Sequence, residues 1–519
     1  MRRPAKPVTL MLAATGMSLF LCRVAIAGDL AAEVTRFSQQ NFAEFLELLA
    51  IANVASEPRD IQRNAAYLEQ AFRRRGFDVT QVNNPAGRPL VFAEYTEKAA
   101  GASTILFYMH MDGQPVIPGE WAQSDPFDPV VKKRDASGQW NDVGRDQLFG
   151  ESLDPELRVF ARAASDDKGP IMMFLTAIDM LRAQKKTPAI NVKVILDPEE
   201  EIGSPSLAGM ALANRSLFAA DAMAMLDGPV HESGRPTLAF GNRGVTQATL
   251  TVFGPRNPLH SGHFGNYAPN PAMRLAELLA TMKDDDGRVL IPGYYDGVEL
   301  TPADREILAR TGDDEVALRK RLGIARAEKV GDSYQLAMQY PSLNVRGMAA
   351  AAVGDKVANV LPSVAVAELD IRTTPETDGR RLFTLIREHI ERQGYHLVDG
   401  LPTDGDRARY DKLASFRLGE VEAAQRVPMD AMVGRWALSA LQSPTGPAPG
   451  VEPVRIRMMG GTVPTEVLVA ALHLPFVLVP TVNADNNQHA RDENLRIGNF
   501  ITGTETAYSL LTTPFPTTD

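Results

Sequence analysis

Three consecutive glutamates, residues 199–201 in "ILDPEEEIGS", directly follow an apolar run and form the first candidate for chemistry. Adjacent carboxylates at the end of a buried strand repel one another unless water, hydrogen-bond donors or cations compensate them. A purely local role would make Asp197 a helix N-cap and Glu200 its capping-box partner. Gly203 interrupts that helix, and Ser204 offers a second start. The segment then lies between strand and helix, where one glutamate could bind a cation while its neighbour holds the attacking water.

Two histidines stand in a metal-like context among the eight of the chain. His110 ends an apolar run and is followed by Asp112, so one ring nitrogen could bind a metal while a neighbouring acid orients the other. A strand-end histidine can equally be solvated, and His-x-Asp also arises by chance. His489 follows another apolar run, in "VNADNNQH".

Two aspartate segments are open to a second interpretation. Asp166 and Asp167 in "ARAASDDKGP" precede a helix, where they could bind a metal or could simply cap the helix N-terminus. Asp227 in "LDG" could be an ordinary residue between a strand and a turn. Taken together in chain order, however, the histidines and carboxylates are far more specific than any one of them. Mixed imidazole and carboxylate ligands suit zinc, manganese or cobalt.

Short apolar runs that end in polar residues would position these side chains. Helical patterns such as residues 171–183 separate the runs, which predicts an α/β fold with a largely parallel sheet. In such sheets ligands bind at the carboxyl ends of the strands, so we expect His110, Glu200, Asp227 and His489 at one edge. The runs are residues 104–110, 192–200, 222–228 and 476–489.

The domain organisation follows from a change of character near Gly241. Alternating strands, helices and a charged helical insert then continue to about residue 426, which predicts an inserted α+β domain. We therefore predict a signal peptide at 1–27, a catalytic domain in two parts at 28–240 and 427–519, and a lid or dimerisation domain at 241–426.

The N-terminus has the pattern of a secretory signal. Three basic residues up to Lys6 precede an apolar stretch, residues 8–21, and a small-x-small cleavage site ends at Ala27. A retained anchor is less favoured, because the stretch is shorter than the ~20 residues that span a bilayer. Lipidation at Cys22 is a minor alternative, because Leu21 is large for a lipobox. Cleavage would remove the single cysteine of the chain and place the protein in the periplasm or outside the cell, with no stable membrane insertion.

The bulk composition fits a folded, multi-domain protein. The 519 residues are 44% hydrophobic and 23% charged, with a net charge of −10. The mature region has no dense lysine and arginine cluster, so we expect no nucleic-acid partner. The acidity only permits cation binding, since most acidic proteins bind no metal.

In order, eight segments resemble the co-catalytic zinc exopeptidase family that includes carnosinase, nonspecific dipeptidase, glutamate carboxypeptidase, aminoacylase, acetylornithine deacetylase and succinyl-diaminopimelate desuccinylase. The resemblance covers nearly the whole mature chain, and "LHSGHFGNYAPNP" is most similar to the long-lid dipeptidase branch. It implies a phosphorylase/hydrolase-like catalytic domain. This chain has Ala161-Arg162-Ala163 where the family commonly has Gly-Arg-Gly. The segments are "HMD", "ASDDKG", "EEIGS", "LDG", "LHSGHFGNYAPNP", "NVLP…DIR", "GGTVP" and "NNQH".

The resemblance also implies roles for individual residues. Asp166 would bridge two divalent metal ions, which are expected to be zinc, with manganese or cobalt as alternatives. His110 and Asp227 would complete one metal site, and Glu201 and His489 would complete the other. Glu199 is left pointing to solvent.

Further roles concern catalysis and the substrate. Glu200 would be the general base, with Asp112 orienting His110. The likeness implies a homodimer through the lid domain, in which His260 reaches the partner's active site and polarises the scissile carbonyl. Residues expected to hold the substrate carboxylate or backbone are Arg372, Asn359, Gly461 and Thr462.

The resulting hypothesis is an exported exopeptidase of the dipeptidase or carboxypeptidase type. A water bridging two metal ions, with Glu200 as its base, would attack the peptide bond of a small peptide. Deacylation of N-acyl amino acids by the same site remains an alternative. The other di-zinc aminopeptidase family fits less well, because its bridging aspartate lies much closer to the first histidine. A catalytically inactive binding protein is the alternative from another class.

Overall fold

A computed structural model describes residues 12–461 and 463–516, except for the side chains of residues 12–29 and Thr465. Met1–Met11, the start of the predicted signal peptide, therefore lie outside the described residues. Within the described part, no helix combines the length and the apolar character needed to cross a bilayer. The chain divides into two compact units.

The helices of the described residues are, in chain order, α1 (Leu12–Leu49), α2 (Pro58–Arg74), α3 (Lys168–Ala183), α4 (Leu207–Ala213), α5 (Arg215–Phe218), α6 (Ser261–Phe264), α7 (Pro271–Ala280), α8 (Pro302–Ala309), α9 (Glu315–Leu322), α10 (Tyr334–Ala337), α11 (Gly379–Arg392), α12 (Asp404–Arg409), α13 (Met432–Leu441), α14 (Thr465–Leu472) and α15 (Ile497–Thr512). Short 3-10 turns lie at Pro118–Glu120, Arg145–Phe149, Glu200–Ile202 and Gly354–Lys356.

The strands are β1 (Phe77–Val82), β2 (Leu90–Tyr95), β3 (Thr104–His110), β4 (Val130–Arg134), β5 (Trp140–Val143), β6 (Arg158–Phe160), β7 (Asn191–Asp197), β8 (Ala222–Met225), β9 (Thr237–Ala239), β10 (Gly241–Asn242), β11 (Gly244–Phe253), β12 (Leu259–His260), β13 (Ser342–Ala349), β14 (Val360–Leu361), β15 (Val364–Thr373), β16 (His396–Leu397), β17 (Leu413–Glu422), β18 (Gln425–Arg426), β19 (Val454–Ile456), β20 (Phe476–Leu478) and β21 (Asn494–Arg496).

The first unit comprises the chain up to Ala239, Val427–Val454 and the residues from Val467 onward. Its main sheet has the order β1-β2-β7-β3-β8-β20-β9-β19, and its last strand crosses the unit boundary. Neighbours from β7 to β20 pair in parallel, whereas β1, β2 and β9 pair antiparallel. The predicted α/β fold is confirmed, and its parallel part is the centre of the sheet.

Large apolar side chains hold α3 between the main sheet and other helices. Phe174 of α3 lies 5.0 Å from Phe107 of β3 between ring centroids, and both are fully buried. Full burial of such a side chain is worth about 1.5–3 kcal/mol. Phe42 of α1 packs edge-on against Phe500 of α15 at 5.2 Å. Because α1 and α15 both contact α3, these contacts hold in the core the helix that directly follows Asp166 and Asp167.

A second, four-stranded sheet of the first unit has the order β21-β6-β4-β5, with antiparallel pairing throughout. Asn494 of β21 lies opposite Phe160 of β6. The residue before β21, Glu493, therefore meets the residue after β6, Ala161, whose N–H donates to the Glu493 carbonyl at 3.1 Å.

The second unit comprises Phe240–Arg426 and Arg455–Glu466. Its five-stranded sheet has the order β13-β15-β11-β17-β16, and every pairing except the parallel β16–β17 pair is antiparallel. Alternate residues of β15 are buried, as a sheet with one covered face requires. The covering helices are α7 and α11, whose Leu275 and Ile386 join the core. Residues 455–466, which the sequence prediction placed in 427–519, cluster with this unit.

Candidate metal centre

Four parallel strands deliver the predicted side chains to one edge of the main sheet. His110 is the last residue of β3 and lies opposite Asp197, the last residue of β7. Glu200 begins a turn three residues after β7, Asp227 follows β8 by two residues, and His489 lies in the loop after β20. The four strands are adjacent in the order β7-β3-β8-β20, so their carboxyl ends coincide.

Asp166 occupies the position between the two histidines. Its Oδ1 lies 2.8 Å from Nε2 of the buried His110, and its Oδ2 lies 3.0 Å from Nε2 of His489. Glu201 Oε2 approaches the same nitrogen of His489 at 3.1 Å. One carboxylate thus presents an oxygen to each imidazole, which is the arrangement a bridging ligand requires.

Among the described residues, two groups of three could each hold a metal ion, because one ligand atom from each member lies within 4.8 Å of the others. His110, Asp167 and Asp227 form the first group. The second group consists of Asp166, Glu201 and His489. Asp167 is therefore an additional candidate ligand: the sequence left it open between metal binding and helix capping, and the resemblance assigned it no ligand role. Although it precedes α3, its side chain makes no capping hydrogen bond.

Asp112 connects His110 with the glutamate turn. Its Oδ1 lies 3.4 Å from His110 Nδ1 and accepts the N–H of Glu200 at 3.2 Å, while its Oδ2 accepts the N–H of Glu201 at 3.0 Å. The buried carboxylate therefore lies beside the imidazole, where the sequence predicts an orienting acid, and it also fixes the main chain of both glutamates. This second contact could not be read from residue spacing.

The prediction that Glu199 points to solvent is wrong. Its side chain is fully buried, with Oε1 2.8 Å from Arg88 Nε and Oε2 accepting the N–H of Ser206 at 3.0 Å. Arg88 lies in the connection between β1 and β2 and compensates the carboxylate through the ion pair. The left-handed φ of 81° at Gly203 ends the glutamate turn before α4 begins at Leu207.

Burial and the repulsion between neighbouring carboxylates raise the pKa of two acids in the cluster. Burial raises the pKa of Asp227 to about 7, and the nearby Asp166 adds to the rise. Burial, Asp227 and Glu201 likewise raise the pKa of Glu200 well above its ordinary value, although His110 opposes them.

The pKa values of both histidines are raised as well, but here the cause is the neighbouring carboxylates, which favour the charged imidazole. Hydrogen bonds with Asp166 and Glu201 raise the pKa of His489 to about 11. Burial lowers the pKa of His110, yet Asp112 and Asp166 more than offset this and bring it well above its usual value. The same two histidines hold the pKa of Asp166 below the ordinary range, despite the opposing effect of burial.

The residues fit divalent cations. Two imidazoles converge with five carboxylates, those of Asp166, Asp167, Glu200, Glu201 and Asp227. Protons shared between these groups reduce only part of the negative charge. Oδ1 of Asp167 is buried and has no hydrogen-bond partner among the described residues, which leaves one lone-pair donor open. Mixed nitrogen and oxygen donors suit zinc, manganese or cobalt.

The substrate-side candidates lie in the second unit. His260 ends β12, which pairs with β14, and the Asn359 carbonyl accepts the N–H of Ser261 at 3.1 Å, so His260 and Asn359 are brought together. His260 Nδ1 accepts the N–H of Gly262 at 3.1 Å. A neutral His260 must then carry its proton on Nε2, where it can donate to a carbonyl oxygen.

Arg372 and Gly461 lie elsewhere in the second unit. Arg372 lies on β15, with Nε 3.4 Å from Asp370 Oδ1. Gly461 is exposed, and a Cβ there would meet nothing within 4 Å. Thr462 lies outside the described residues.

Sequence reasoning also missed two buried residues beside the cluster, Glu493 and Arg162, which form an ion pair at 2.8 Å. The available signals were the position of Glu493 four residues after His489, the position of Arg162 four residues before Asp166, and the place of Arg162 in the Ala161-Arg162-Ala163 segment. Nothing in residue type distinguished them from surface charges.

Comparison with known proteins gives consistent matches. The model of Peptidase family M20/M25/M40 matches residues 106–513. The chain is 26% identical over 421 residues to a Cys-Gly metallodipeptidase of Schizosaccharomyces pombe, covering 80% of each chain. It is 25% identical over 496 residues to a human Beta-Ala-His dipeptidase, covering 93% of this chain and 86% of the relative. An M20 family metallo-carboxypeptidase from Sulfolobus solfataricus has a similar structure, with a TM-score of 0.72, 27% identity and coverage of 91% and 98%.

Proposed function

Since the chain belongs to Peptidase family M20/M25/M40 and is therefore a hydrolase of peptide bonds, we propose that it is an exported dipeptidase that uses two divalent cations. The observation that carries the proposal is Asp166, whose two oxygens face His110 and His489 at 2.8 and 3.0 Å. Asp166 would hold both ions, with His110 and Asp227 on one and Glu201 and His489 on the other. Asp167 is the further donor on the His110 side.

The bound cations, zinc by preference, would polarise the substrate carbonyl and the attacking water. Glu200 takes the proton of that water and passes it to the leaving amine. Burial and neighbouring carboxylates raise the pKa of Glu200 well above its ordinary value, and this opposes the lowering that cations impose on a nearby base. Asp112 accepts the N–H of Glu200 at 3.2 Å and thereby holds its main chain next to His110.

Five residues predicted from the sequence would supply the substrate contacts. His260 has Nε2–H available for the scissile carbonyl, and in a homodimer it would serve the active site of the partner copy. Arg372 would pair with the free carboxylate of the peptide, since a guanidinium binds carboxylates in a two-pronged manner. Asn359, Gly461 and Thr462 would bind the substrate backbone.

The substrate class follows from the relatives. Cys-Gly and β-Ala-His, which two relatives cleave by name, are both dipeptides with a free C-terminal carboxylate. We expect this chain to cleave unblocked dipeptides in preference to acetyl- or succinyl-amino acids. A panel of dipeptides and N-acyl amino acids, offered to the zinc-loaded protein, distinguishes a peptidase from a deacylase.

Glu200→Gln tests the mechanism. The variant should keep the bound metal of the wild type and lose at least about 10³-fold in kcat, since a positioned base contributes 10²–10⁴-fold. Glu156→Gln, an exposed carboxylate outside the site, is the matched control and should retain full activity. A fully active Glu200→Gln enzyme would contradict the assignment.

Export is a separate part of the proposal. The basic start, the apolar stretch at 8–21 and the cleavage motif ending at Ala27 support a signal peptide. N-terminal sequencing of protein recovered from the periplasm of an expressing bacterium should begin at Gly28. An intact N-terminus in the membrane fraction would instead indicate an anchor.

A further inference from the structure

The main chain that carries Asp166 is wrapped around one buried carboxylate. Glu493 Oε1 accepts the N–H groups of Ser165 and Asp166 at 2.9 and 3.0 Å, and its Oε2 accepts the N–H of Ala163 at 3.0 Å. Glu493 is fully buried. Carboxylate acceptors that bind main-chain N–H groups at these distances hold a loop firmly.

Arg162 extends this anchor to the other histidine loop. Its Nη1 donates to Glu493 Oε2 at 2.8 Å, and its Nη2 donates to the carbonyl of Ala490 at 3.2 Å. Ala490 directly follows His489. The guanidinium also lies 5.2 Å over the ring of Trp121 and is almost fully buried. The loops that carry Asp166 and His489 are thus tied to the same ion pair.

The local backbone explains why an anchor is needed. Ala163 has a φ of 62°, in the left-handed region that a residue with a Cβ rarely adopts. Ala163 thus holds a conformation that favours glycine, and Glu493 Oε2 binds its N–H. Strain of this kind persists only when the surroundings enforce it.

We propose that Glu493 and Arg162 form a single positioning unit that sets the placement of Asp166 relative to His489, and thereby the affinity of the site for divalent cations. The inference rests on the proposed metal-dependent function, but it concerns the metal-free protein as well. Neither residue contacts the reacting atoms. Each acts through the loops it binds.

Glu493→Gln removes the second acceptor. A glutamine carries one carbonyl oxygen and one NH₂ group, which is a donor only. The NH₂ group must therefore face other donors, either the N–H groups of Ser165 and Asp166 or those of Ala163 and Arg162. Zinc affinity of the full metal-stripped chain, measured by competition with a chromogenic chelator, should fall by about 10–100-fold in at least one of the two binding steps, the range found for residues that support metal ligands.

Glu44→Gln is the matched control. Glu44 also pairs with a buried arginine, since its Oε2 lies 2.8 Å from Arg75 Nη2. That pair joins α1 to the end of α2, away from both ligand loops, so its loss should lower stability and leave zinc affinity unchanged. Hydrogen exchange of metal-free protein gives a second measurement. Amides in 161–166 should exchange at least about tenfold faster in Glu493→Gln than in Glu44→Gln.

Arg162→Lys covers the case in which Glu493→Gln does not fold. A lysine has one ammonium group and reaches either Glu493 or Ala490, not both in the fixed fork of arginine. Its zinc affinity should lie between those of wild type and Glu493→Gln. Wild-type affinity in either folded variant, or unchanged exchange of 161–166, overturns the proposal. Wild-type protein that binds zinc yet cleaves no dipeptide overturns the proposed function and leaves this inference intact.

Discussion

Arg88→Met should destabilise the first unit through a carboxylate that is neither a ligand nor a base. Arg88 Nε lies 2.8 Å from Glu199 Oε1, and the Glu199 side chain is fully buried. Burial alone would raise the pKa of Glu199, but Arg88 and the N–H of Ser206 bring it below its ordinary value. Without the arginine, a buried charge keeps only weaker partners. Breaking a buried pair in this way costs about 3–5 kcal/mol, and we expect the lower end because the Arg88 side chain is 14% exposed.

Urea unfolding followed by tryptophan fluorescence is the suitable assay, because all three tryptophans, Trp121, Trp140 and Trp436, lie in the first unit. The double variant Arg88→Met/Glu199→Met replaces both charges with apolar groups of similar length. It should recover most of the loss, since apolar substitution of a whole buried pair is often neutral.

Arg63→Met provides the control for the loss of an exposed ion pair. Arg63 Nη2 lies 3.3 Å from Asp60 on α2, with 60% of the Arg63 side chain exposed. Its removal should change the free energy of unfolding by less than about 1 kcal/mol. If Arg88→Met is as mild as Arg63→Met, or if the double variant is less stable than Arg88→Met alone, the reasoning about buried charge is refuted.

Three further predictions concern pH, a buried lysine and the metal. Burial raises the pKa of Glu505 to about 7. The folded state therefore binds a proton that the unfolded state releases, and its stability falls as pH rises from about 4.5 through 7. In urea unfolding, Glu505→Gln should have a free energy of unfolding about 2–3 kcal/mol above that of wild type at pH 8 and equal to it at pH 4. Lys168→Met should lower the free energy of unfolding by about 2 kcal/mol. The buried Lys168 Nζ donates to the carbonyls of Leu48 and Ile51 at 2.9 and 2.6 Å, and methionine cannot donate these hydrogen bonds. A variant as stable as wild type in the same measurement would contradict this. Chelation should abolish dipeptide hydrolysis and lower the melting temperature. Zinc at 1,000 times its Kd should restore about 4 kcal/mol of unfolding free energy, measured by calorimetry. An unchanged melting temperature would argue against cations that bind the folded state.

The fold was predictable where a single pattern decided the element. The apolar run ending at His110 is β3 with the predicted bounds. Parallel pairing then follows from helices between strands, and with it the convergence of ligands at one edge. The antiparallel strands at the edges of the sheet were not predictable, because their pairing depends on long-range contacts that short apolar runs do not encode.

Within the site, residue types were predictable and partners were not. Asp166 and Asp167 are adjacent and identical in type, and only the structure shows that Asp166 faces two imidazoles while Asp167 joins His110 and Asp227. Glu199 was misjudged for the same reason. Its partner, Arg88, lies 111 positions earlier in the chain.

Main-chain donors separate the carboxylates that shape this site from those that can bind cations in it. Asp112 and Glu493 accept main-chain N–H groups on both oxygens, and an oxygen occupied in this way has less lone-pair density for a metal. Asp166 presents both oxygens to imidazole nitrogens, and Glu201 presents Oε2 to His489. Asp167 combines the two conditions, since Oδ2 accepts the N–H of His110 at 3.2 Å and Oδ1 has no hydrogen-bond partner among the described residues. Because backbone donors are identical at every position, no residue pattern reveals this division. The placement of the remaining carboxylates therefore depends on main-chain segments that Asp112 and Glu493 bind.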